Sequence, residues 1–565
     1  MTLSLSRAIT NGDVDVRVSV AELVPESVEL LVDGVPAATL PRPSYELRWS
    51  THDLDEGQYI ITARASIGDR VYVSAANTLF VDRTAPRLVT QSPRTGDQDV
   101  SVHAPIQAVF SEAVEPSSVT AESIRLLVNQ SDIAAGVRLS ADGMTVTLTP
   151  ATQLPVDSDV SVTIAPSVTD MAGNALDVTA LDWQWGIPRH LLYGESISAG
   201  SIEASDVAKF SLALDGTGRP VVAFVDGDSP SSRGVYVMRW TGVTWEQLGD
   251  VLGMSAAESV IKACSLWVTP EGEILVAWNR EVTDGADGIH VYRWGVSSWS
   301  ALGSPVTLEQ PMAKFESFKF VVGPQGERWL VLHEYAADVS AGIHVFRWGE
   351  GRWERQGETS LNPYWLQSSF NLMVDSSGRL VVVWALQSGT GGGVTPYSKR
   401  WVGTHFEDIP LRPAGAVVPV VSELDGEDRL VIAKPSQDFE GGVRPWIERS
   451  HAAEGWQTLG LGVDGMYPGV TDAMVEVLDF DPAGQLVALL SEPEIAGGPV
   501  NHYVRRWDET SWVSMGAPLL PRPGATPVGP AQFFMTGPEQ WVLARIEESE
   551  GTPSRRHLYV YRPNN

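Results

Sequence analysis

One short pattern occurs seven times between residues 188 and 565. An apolar strand leads into a turn of the form Asp/Pro-x-x-Gly, and a second apolar strand and a variable polar loop follow. A third strand then ends in hydrophobic-x-Arg-Trp before a tight turn and Trp-x-x-x-Gly. The basic residue of the third strand recurs after 54, 54, 53, 49, 57 and 56 residues, at Arg239, Arg293, Arg347, Arg400, Arg449, Arg506 and Arg562. Repeats of this length with four short strands each predict the blades of a β-propeller.

Two residue types within the repeat have predicted structural roles. The turn after the first strand carries a glycine in five units, where a positive φ is expected, and Asp428 and Glu539 replace it in units five and seven. The recurring tryptophans, such as Trp294 and Trp299, are predicted to wedge between neighbouring blades and to stack with the arginines. The alternative is that they form a ring of sugar-stacking platforms.

The ends of the repeat region indicate how the ring closes. The seventh unit stops after its third strand, at residues 559–563, and so lacks a fourth. Residues 189–194, upstream of the first unit, align with 244–249, which form the fourth strand of that unit. Closing the ring with this upstream strand removes both open sheet edges, so we predict seven blades closed by an N-terminal strand.

The first 84 residues predict a β-sandwich. Val14, Val16, Val18 and Val20 alternate with polar residues, the period of a half-buried strand. An Asp-Gly pair at residues 33–34 lies between two apolar runs, which is a strong hairpin signal. Five or six such strands in this length are typical of an immunoglobulin-like sandwich.

Residues 85–187 form a second predicted unit. Its ordered motifs are SPRTG at 92–96, PIQAVFSE at 105–112, TVTLTP at 145–150 and VTDMAGNAL at 168–176. This segment resembles the bacterial immunoglobulin-like domain of surface-layer type. The resemblance implies a spacer or presentation module on an exported protein, without catalysis. Asp170 and Asn174 are interpreted as residues that order a turn rather than as calcium ligands.

The predicted fold class is therefore all-β. Two immunoglobulin-like β-sandwiches, at residues 1–84 and 85–187, precede a seven-bladed β-propeller at residues 188–565 that an N-terminal strand closes. The chain has 565 residues, which suits one large closed repeat with small added domains.

Charge and cysteine content exclude several kinds of partner and site. The formal net charge of −30 argues against nucleic acid and against anionic membrane surfaces. No run of about 18 apolar residues predicts a membrane span. Because Cys264 is the single cysteine, neither a disulfide framework nor a cysteine-based zinc site is expected. The first 20 residues lack the pattern of a signal peptide, and we expect an extracellular or cell-surface location in a form without its leader.

The long loops after the second strand of each unit are predicted to share one face of the propeller, where binding residues tend to lie. They are rich in acidic side chains. The candidate ligand-binding residues are Asp226, Asp228, Glu281, Asp284, Asp287, Glu334, Asp338, Asp438 and Glu440. They suit a cation or a basic partner, with calcium as one possibility, although such residues more often form a solvated acidic surface. No cofactor is otherwise expected, and the metal content is left open.

Known enzyme motifs are not found. Copper radical oxidases need a cysteine cross-linked to a tyrosine, a context that Cys264 lacks. Sialidases carry S-x-D-x-G-x-x-W between the third and fourth strands, where this chain has WTGVTW at 240–245, without the aspartate. Three hypotheses follow: a non-enzymatic surface protein that binds a glycan or a protein, a secreted hydrolase or lyase with its site in the propeller channel, and a structural subunit of a surface appendage.

Overall fold

The structure is a computed structural model of the chain. It describes residues 1–21, 24–42, 44–178, 183–197, 206–227, 233–254, 259–282, 288–307, 314–335, 342–356, 366–387, 394–411, 421–437, 443–451, 455–459, 473–495, 498–550 and 555–565. Two compact units are present, Met1–Leu191 with Asn564–Asn565, and Leu192–Pro563. Apart from one 3₁₀ turn at Pro116–Ser118, the regular secondary structure of the described residues is β-strand, as predicted.

The first part of the N-terminal unit is a β-sandwich. Val14, Val16 and Val18 are buried and alternate with exposed residues, so the predicted strand period is confirmed. One sheet has the order β1-β3-β6, and the other has the order β2-β9-β7-β4-β5 with β8 paired to β7. The strands are β1 Thr2–Leu5, β2 Ile9–Thr10, β3 Val14–Ser19, β4 Ser27–Val32, β5 Val35–Thr39, β6 Glu46–Trp49, β7 Gly57–Ile67, β8 Arg70–Val73 and β9 Asn77–Val81.

A second sandwich follows in the same unit and has a separate apolar core. Phe110, Leu126 and Trp185 belong to this core and are almost fully buried. The sheets have the orders β10-β11-β15-β14 and β13-β12-β16-β17. The strands are β10 Leu88–Ser92, β11 Ile106–Phe110, β12 Ile124–Val128, β13 Ser131–Ile133, β14 Ala135–Leu139, β15 Thr145–Pro150, β16 Ser158–Ile164 and β17 Gln184–Ile187.

The remaining strands build the propeller. They are β18 His190–Leu192, β19 Lys209–Leu214, β20 Pro220–Asp226, β21 Gly234–Trp240, β22 Trp245–Gln247, β23 Ser259–Val268, β24 Ile274–Val282, β25 Gly288–Trp294, β26 Trp299–Ala301, β27 Val306–Thr307, β28 Lys314–Val322, β29 Arg328–Tyr335, β30 Gly342–Gly349, β31 Arg352–Arg355, β32 Leu366–Val374, β33 Leu380–Gln387, β34 Val394–Trp401, β35 Phe406–Asp408, β36 Val421–Leu424, β37 Leu430–Gln437, β38 Val443–His451, β39 Gly455–Thr458, β40 Met474–Phe480, β41 Leu486–Pro493, β42 Val500–Trp507, β43 Trp512–Ser514, β44 Ala525–Met535, β45 Trp541–Ser549 and β46 Arg556–Pro563.

Among the described residues these strands form seven antiparallel sheets, which we number as blades in chain order. Six blades run through four consecutive main strands, from β19-β20-β21-β22 to β40-β41-β42-β43, and β27 is added in blade 2. Blade 7 has the order β18-β46-β45-β44. The first strand of each blade contacts that of the next, and β44 contacts β19, so these inner strands form a closed cycle. The predicted β-propeller is confirmed.

The closing strand comes from upstream, as the sequence predicts. β18 lies next to β46 in the sheet of blade 7. Just beyond β18, the backbone N–H of Tyr193 donates to the carbonyl of Val560 at 2.9 Å, and that of Ile197 donates to the carbonyl of Leu558 at 2.8 Å. β18 therefore covers the edge of β46 and gives the last blade the fourth strand that the other blades have.

The second strand of each blade is buried between its neighbours. In β20 every residue is buried, and Val221 and Phe224 have no exposed surface. Adjacent blades share apolar cores, and in one of them Val276 and Trp278 of blade 2 pack together with Val237 of blade 1. A strand covered on both faces needs a continuous apolar sequence, which explains the run seen in each unit.

The outer rim of the propeller repeats one arrangement of aromatic residues. The indole N–H of a fourth-strand tryptophan reaches back to a carbonyl of the preceding blade: Trp299 donates to Leu248 at 2.7 Å and Trp512 to Leu459 at 2.9 Å. Trp245 of blade 1 donates to Tyr193, which continues the rim across the closure. The interpretation of the tryptophans as wedges between blades is confirmed at these positions.

The glycine of Trp-x-x-x-Gly is required by this packing. Gly249 has a φ of 66°, and a Cβ there would lie 2.6 Å from the ring of Trp294 in the next blade. A Cβ at Gly303 would likewise lie 2.7 Å from the ring of Trp348. A side chain at either position would collide with the aromatic wedge, which explains why the repeat keeps a glycine.

The third-strand arginines of blades 4 and 5 hold the tight turns of their own blades. Arg400 lies 3.3 Å from the carboxylate of Asp375, and Arg449 lies 3.6 Å from that of Asp425. Both aspartates are buried and begin the turn after the inner strand. These ion pairs give two of the recurring arginines a structural role. Arg347 stacks on Trp329 of the second strand, 5.2 Å from its ring centre, and not on one of the recurring tryptophans.

Candidate functional site

The inner strands alternate between buried and partly exposed side chains. Each ends at a turn whose first residue is Asp215, Thr269, Gly323, Asp375, Asp425, Asp481 or Thr536. Three residues before the turn, the side chain is buried in six blades, at Leu212, Leu266, Phe320, Ser422, Leu478 and Phe533. Four residues before it, all seven side chains keep solvent contact, at Ser211, Ser265, Lys319, Asn371, Val421, Val477 and Gln532. Because an inner strand is the sheet edge nearest the axis, these residues line the axial channel.

Several polar side chains of this lining bond to the free edge of the neighbouring inner strand. Gln532 of blade 7 accepts from the N–H of Leu212 at 2.7 Å and donates to the carbonyl of Phe210 at 3.0 Å. Ser211 accepts from the N–H of Leu266 at 2.9 Å in the same way. These side chains satisfy backbone groups that no further strand pairs with.

Lys319 is the cation of this lining. Its Nζ donates to Oδ1 of Asn371 in the next blade at 2.6 Å, and Nδ2 of Asn371 donates to the hydroxyl of Ser422 at 3.3 Å. Solvent reaches the Lys319 side chain, but protein surrounds it, and this desolvation lowers its pKa to about 8. The charge of Glu423 acts in the opposite direction. Lys319 therefore stays mostly protonated at neutral pH but loses its proton more readily than an exposed lysine.

Two carboxylates lie at the position two residues before the turn. Glu423 is on the inner strand of blade 5, and burial raises its pKa to about 7, with a further contribution from the charge of Asp479. Asp479 is on the inner strand of blade 6, and burial raises its pKa to about 6. The N–H groups of Met535 and Phe480 donate to Asp479 at 2.7 and 2.8 Å and limit that rise.

An acid and a base therefore coexist around neutral pH in one channel. Titratable groups displaced toward pH 7 by burial and by each other are typical of functional sites. Trp267 of blade 2 occupies the same position, two residues before the turn, and is partly exposed. The channel thus combines hydrogen-bonding side chains, an indole face and groups able to exchange protons.

Of the nine loop residues proposed from the sequence, Asp226 alone has a described side chain. Asp226 ends β20 and is fully buried, with Oδ1 accepting from the N–H groups of Asp206 at 2.8 Å and Gly227 at 2.7 Å. Glu281 lies in β24 and Glu334 in β29, but their side chains are outside the described set. The others also lie outside the described residues: Asp228, Asp284, Asp287, Asp338, Asp438 and Glu440. Ligand binding by this group stays a prediction.

The sequence reasoning missed Lys319, Asn371, Glu423 and Asp479. Each lies on a strand recognised only as an apolar element of the repeat. For the two carboxylates, the signal was an acidic residue at a position where other units have Ala213, Val321 or Met373. Aligning the units on the turn and searching for such exceptions would have found both.

A separate carboxylate group lies in the N-terminal unit. Oxygens of Asp82, Glu112 and Asp170 are within 4.8 Å of one another, and burial, followed by the charges of Asp82 and Asp170, raises the pKa of Glu112. Asp170 also orders its turn, because Oδ1 accepts from three backbone N–H groups and Oδ2 from Asn174 at 2.7 Å. The predicted turn role of Asp170 and Asn174 is confirmed. Oxygen ligands of this kind suit a hard cation.

Cys264 and the membrane prediction can be checked against the described residues. Burial raises the pKa of the Cys264 thiol to about 12, and the side chain packs beside the core shared by blades 1 and 2. It behaves as a small apolar residue, as expected. No helix in the described part of the chain is long and apolar enough to cross a membrane.

Comparison with known families identifies one domain. Residues 82–185 match the family model of the bacterial Ig-like domain. This agrees with the resemblance found from the motifs of the second sandwich. No curated protein matches the chain.

Similar solved structures include several enzymes. An α-L-arabinofuranosidase from Fusarium graminearum is 12% identical, with a TM-score of 0.39 over 57% of this chain and 99% of that one. A polysaccharide lyase described as an ulvan lyase is 12% identical, with a TM-score of 0.41 over 66% and 96%. A Hadza microbial sialidase is 11% identical, with a TM-score of 0.36 over 84% and 98%. With TM-scores below 0.5, these similarities assign neither a substrate nor a reaction to this chain.

Proposed function

We propose that this chain is an exported bacterial protein whose propeller recognises a neutral carbohydrate in its axial channel. The observation that carries the proposal is the lining of inner-strand side chains, in which Lys319, Asn371, Glu423 and Gln532 present donors and acceptors and Trp267 presents a partly exposed indole. Specific small-ligand sites combine a few placed polar groups with an aromatic surface. A sugar ring matches both, since it has hydroxyl groups at its edge and C–H groups on its face.

The charge of the protein supports a neutral ligand. The chain carries a formal charge of −30, which repels a polyanion at long range. Within the described channel lining, the charges of Lys319 and Asp479 both act on Glu423, in opposite directions. A polymer of uncharged sugars meets no electrostatic barrier there.

The match to a bacterial Ig-like domain supports an extracellular location. Such modules are typical of bacterial surface proteins, where they hold a functional domain away from the envelope. The alternative of a non-enzymatic adhesion protein, with a glycan or protein bound at the acidic loop face, rests on side chains that are mostly outside the described residues. It stays a prediction, as does the role of an appendage subunit.

Binding of the full chain to soluble polysaccharides tests the proposal. The panel contains neutral dextran, xylan, galactomannan and arabinan, with polygalacturonate as the polyanion, and binding is measured by affinity electrophoresis and calorimetry. We expect at least one neutral polymer to bind. Trp267→Ala should weaken that binding about tenfold, since an aromatic face contributes about 1–1.5 kcal/mol.

Trp456→Ala is the matched control, because Trp456 lies on the outer rim and donates to the carbonyl of Pro410 at 3.1 Å. It should leave the affinity unchanged. Failure of every neutral polymer to bind, or an equal loss in both tryptophan variants, would contradict recognition in the channel.

A further inference from the structure

We infer that Glu423 and Asp479 are the acid and base of a glycoside-hydrolysing site in the axial channel. The inference rests on the proposed function, because it needs a carbohydrate to enter the channel. It goes beyond recognition by assigning a reaction and a role to each of two residues.

The two carboxylates are placed as neighbours by the repeat. Glu423 precedes the turn residue Asp425 by two positions, and Asp479 precedes Asp481 by two positions, so they are equivalent in register on β36 and β40. These two strands contact each other. Both side chains keep solvent contact, whereas the adjacent Ser422 and Leu478 are buried. A polymer in the channel would therefore meet two carboxyl groups from neighbouring blades, and a pair of carboxyl groups is what glycoside hydrolysis uses.

Different hydrogen bonds assign the roles. Asp479 accepts from two backbone N–H groups, those of Phe480 and Met535, one on each oxygen. Glu423 accepts from one, that of Leu424 at 3.0 Å. Hydrogen bonds to a carboxylate favour its ionised form, so Asp479 ionises first and Glu423 keeps its proton longer. The raised pKa values, about 6 for Asp479 and about 7 for Glu423, agree with this order.

The other charged groups around the pair do not reverse the order. Lys319 on β28 favours the ionised form of Glu423, and Asp479 opposes it. Asp481, at the turn after β40, disfavours ionisation of Asp479. On the adjoining strands of blade 5, Lys434 and Glu448 pair with each other at 2.7 Å. The flanking inner strands β32 and β44 contribute the neutral side chains Asn371 and Gln532.

The reaction is a displacement by water. The Glu423 carboxyl donates its proton to the glycosidic oxygen while the bond from that oxygen to the anomeric carbon breaks. The Asp479 carboxylate removes a proton from the water molecule whose oxygen forms the new bond to that carbon. The products are two sugar chains, one with a new reducing end, and proton exchange with solvent restores both carboxyl groups.

The test measures new reducing ends released by the full chain from whichever polymer it binds. We expect Glu423→Gln and Asp479→Asn each to reduce turnover by a factor of about 10² to 10⁴, the usual contribution of a positioned acid or base. Binding of the polymer should be retained in both, because the substitutions keep the shape of the side chains. Glu427→Gln, at an exposed acid in the turn of blade 5, is the control and should have wild-type turnover.

The pH dependence of turnover distinguishes a catalytic role of the two carboxyl groups from a structural one. Turnover should be bell-shaped, with limbs near the two pKa values of about 6 and about 7. Lys319→Met should move the alkaline limb upward, because the positive charge that favours ionised Glu423 is lost. Circular dichroism and melting temperature confirm that each variant is folded before its rate is compared.

The outcomes separate this inference from the function on which it rests. A polymer that binds without any new reducing ends overturns hydrolysis and leaves recognition standing. Turnover that survives both carboxyl substitutions in folded protein overturns the assignment of the residues. Absence of binding across the neutral panel overturns recognition, and the hydrolytic site with it.

Discussion

The outer and inner rims of the propeller are held together in different ways. On the outer rim, the same tryptophan, the same backbone carbonyl and the same glycine recur from blade to blade, as at Trp299, Leu248 and Gly249. On the inner rim, equivalent positions carry a serine, a lysine, an asparagine or a glutamine. Ser211 and Gln532 bond to the backbone of the neighbouring strand, whereas Lys319 and Asn371 bond to its side chains.

This difference separates structure from chemistry. A position that makes the same packing contacts in every blade carries the same residue in every blade. Burying Glu423 and Asp479 raises the pKa of each and therefore disfavours the charged state at neutral pH. Repetition thus marks the scaffold, and departure from repetition marks the candidate site. The following substitutions test this distinction.

The largest effect is expected on the outer rim. Trp294→Ala removes a side chain that packs against Gly249 and lies 5.0 Å, between ring centres, from Trp299. We expect a loss of about 3–5 kcal/mol in the free energy of unfolding, because a cavity is left between two blades. Urea denaturation measures it. Val296→Ala, at a fully exposed residue of the same turn, should change stability by less than about 0.5 kcal/mol. A tryptophan variant as stable as this control would show that the outer rim is not structural.

A smaller loss is expected from Gly249→Ala. The added methyl group meets a positive φ and also the ring of Trp294, so we expect a loss of about 2–4 kcal/mol. Gly218→Ala is the matched control, since Gly218 has a φ of 79° with open space around its Cβ. It should lose about 1 kcal/mol. Equal losses by thermal or urea unfolding would mean that the contact with the next blade adds nothing.

On the inner rim, Gln532→Ala removes the bonds to Leu212 and Phe210. We expect a loss of about 1–2 kcal/mol, because two backbone groups lose their partner near the channel. Gln247→Ala, at an exposed residue of the outer strand of blade 1, should have little effect. Hydrogen exchange of the Leu212 amide provides a local measurement, and unchanged protection would argue against the edge bond.

The smallest effect has the opposite sign. The pKa of Glu423 is about 7 in the folded chain and about 4.5 ordinarily, so the contribution of its proton to stability is complete below about pH 4.5 and is lost as the pH rises through 7. Glu423→Gln should therefore stabilise the fold by about 1 kcal/mol at pH 8 and leave it unchanged at pH 4. Parallel urea titrations at the two pH values measure the difference. Destabilisation at pH 8 would assign Glu423 to the scaffold.

The scaffold was predictable from the sequence because its determinants repeat. The spacing of Arg239 and its equivalents indicated the blades, and the similarity of residues 189–194 to 244–249 indicated the closing strand. Positive φ values at Gly218 and Gly484 and at Asp428, which replaces the glycine in blade 5, agree with the predicted turn.

The candidate site was not predictable in the same way. The chain has 70 acidic residues, and Glu423 and Asp479 differ from the others only as exceptions at a position that is apolar in the other units, which becomes visible once the units are aligned on the turn. Their pKa values depend on burial and on groups from other blades, such as Lys319 and Met535, which are about 50 to 100 residues away along the chain. The sequence shows that the loops are rich in acidic residues. Asp226 shows that an acidic residue near a loop can nevertheless be buried and hydrogen-bonded to the backbone.

Closure by β18 has a consequence for how the ring is made. The two strands paired at this closure, which we call the seam, are β18 and β46, and they lie at opposite ends of the repeat region. During synthesis β18 is therefore made first and can pair only after β46 has been made. Six blades can assemble in order while the seventh stays incomplete. Removal of residues 556–563 would therefore open the same seam as removal of residues 190–197, whereas a single cut in a loop between two blades would leave the seam paired.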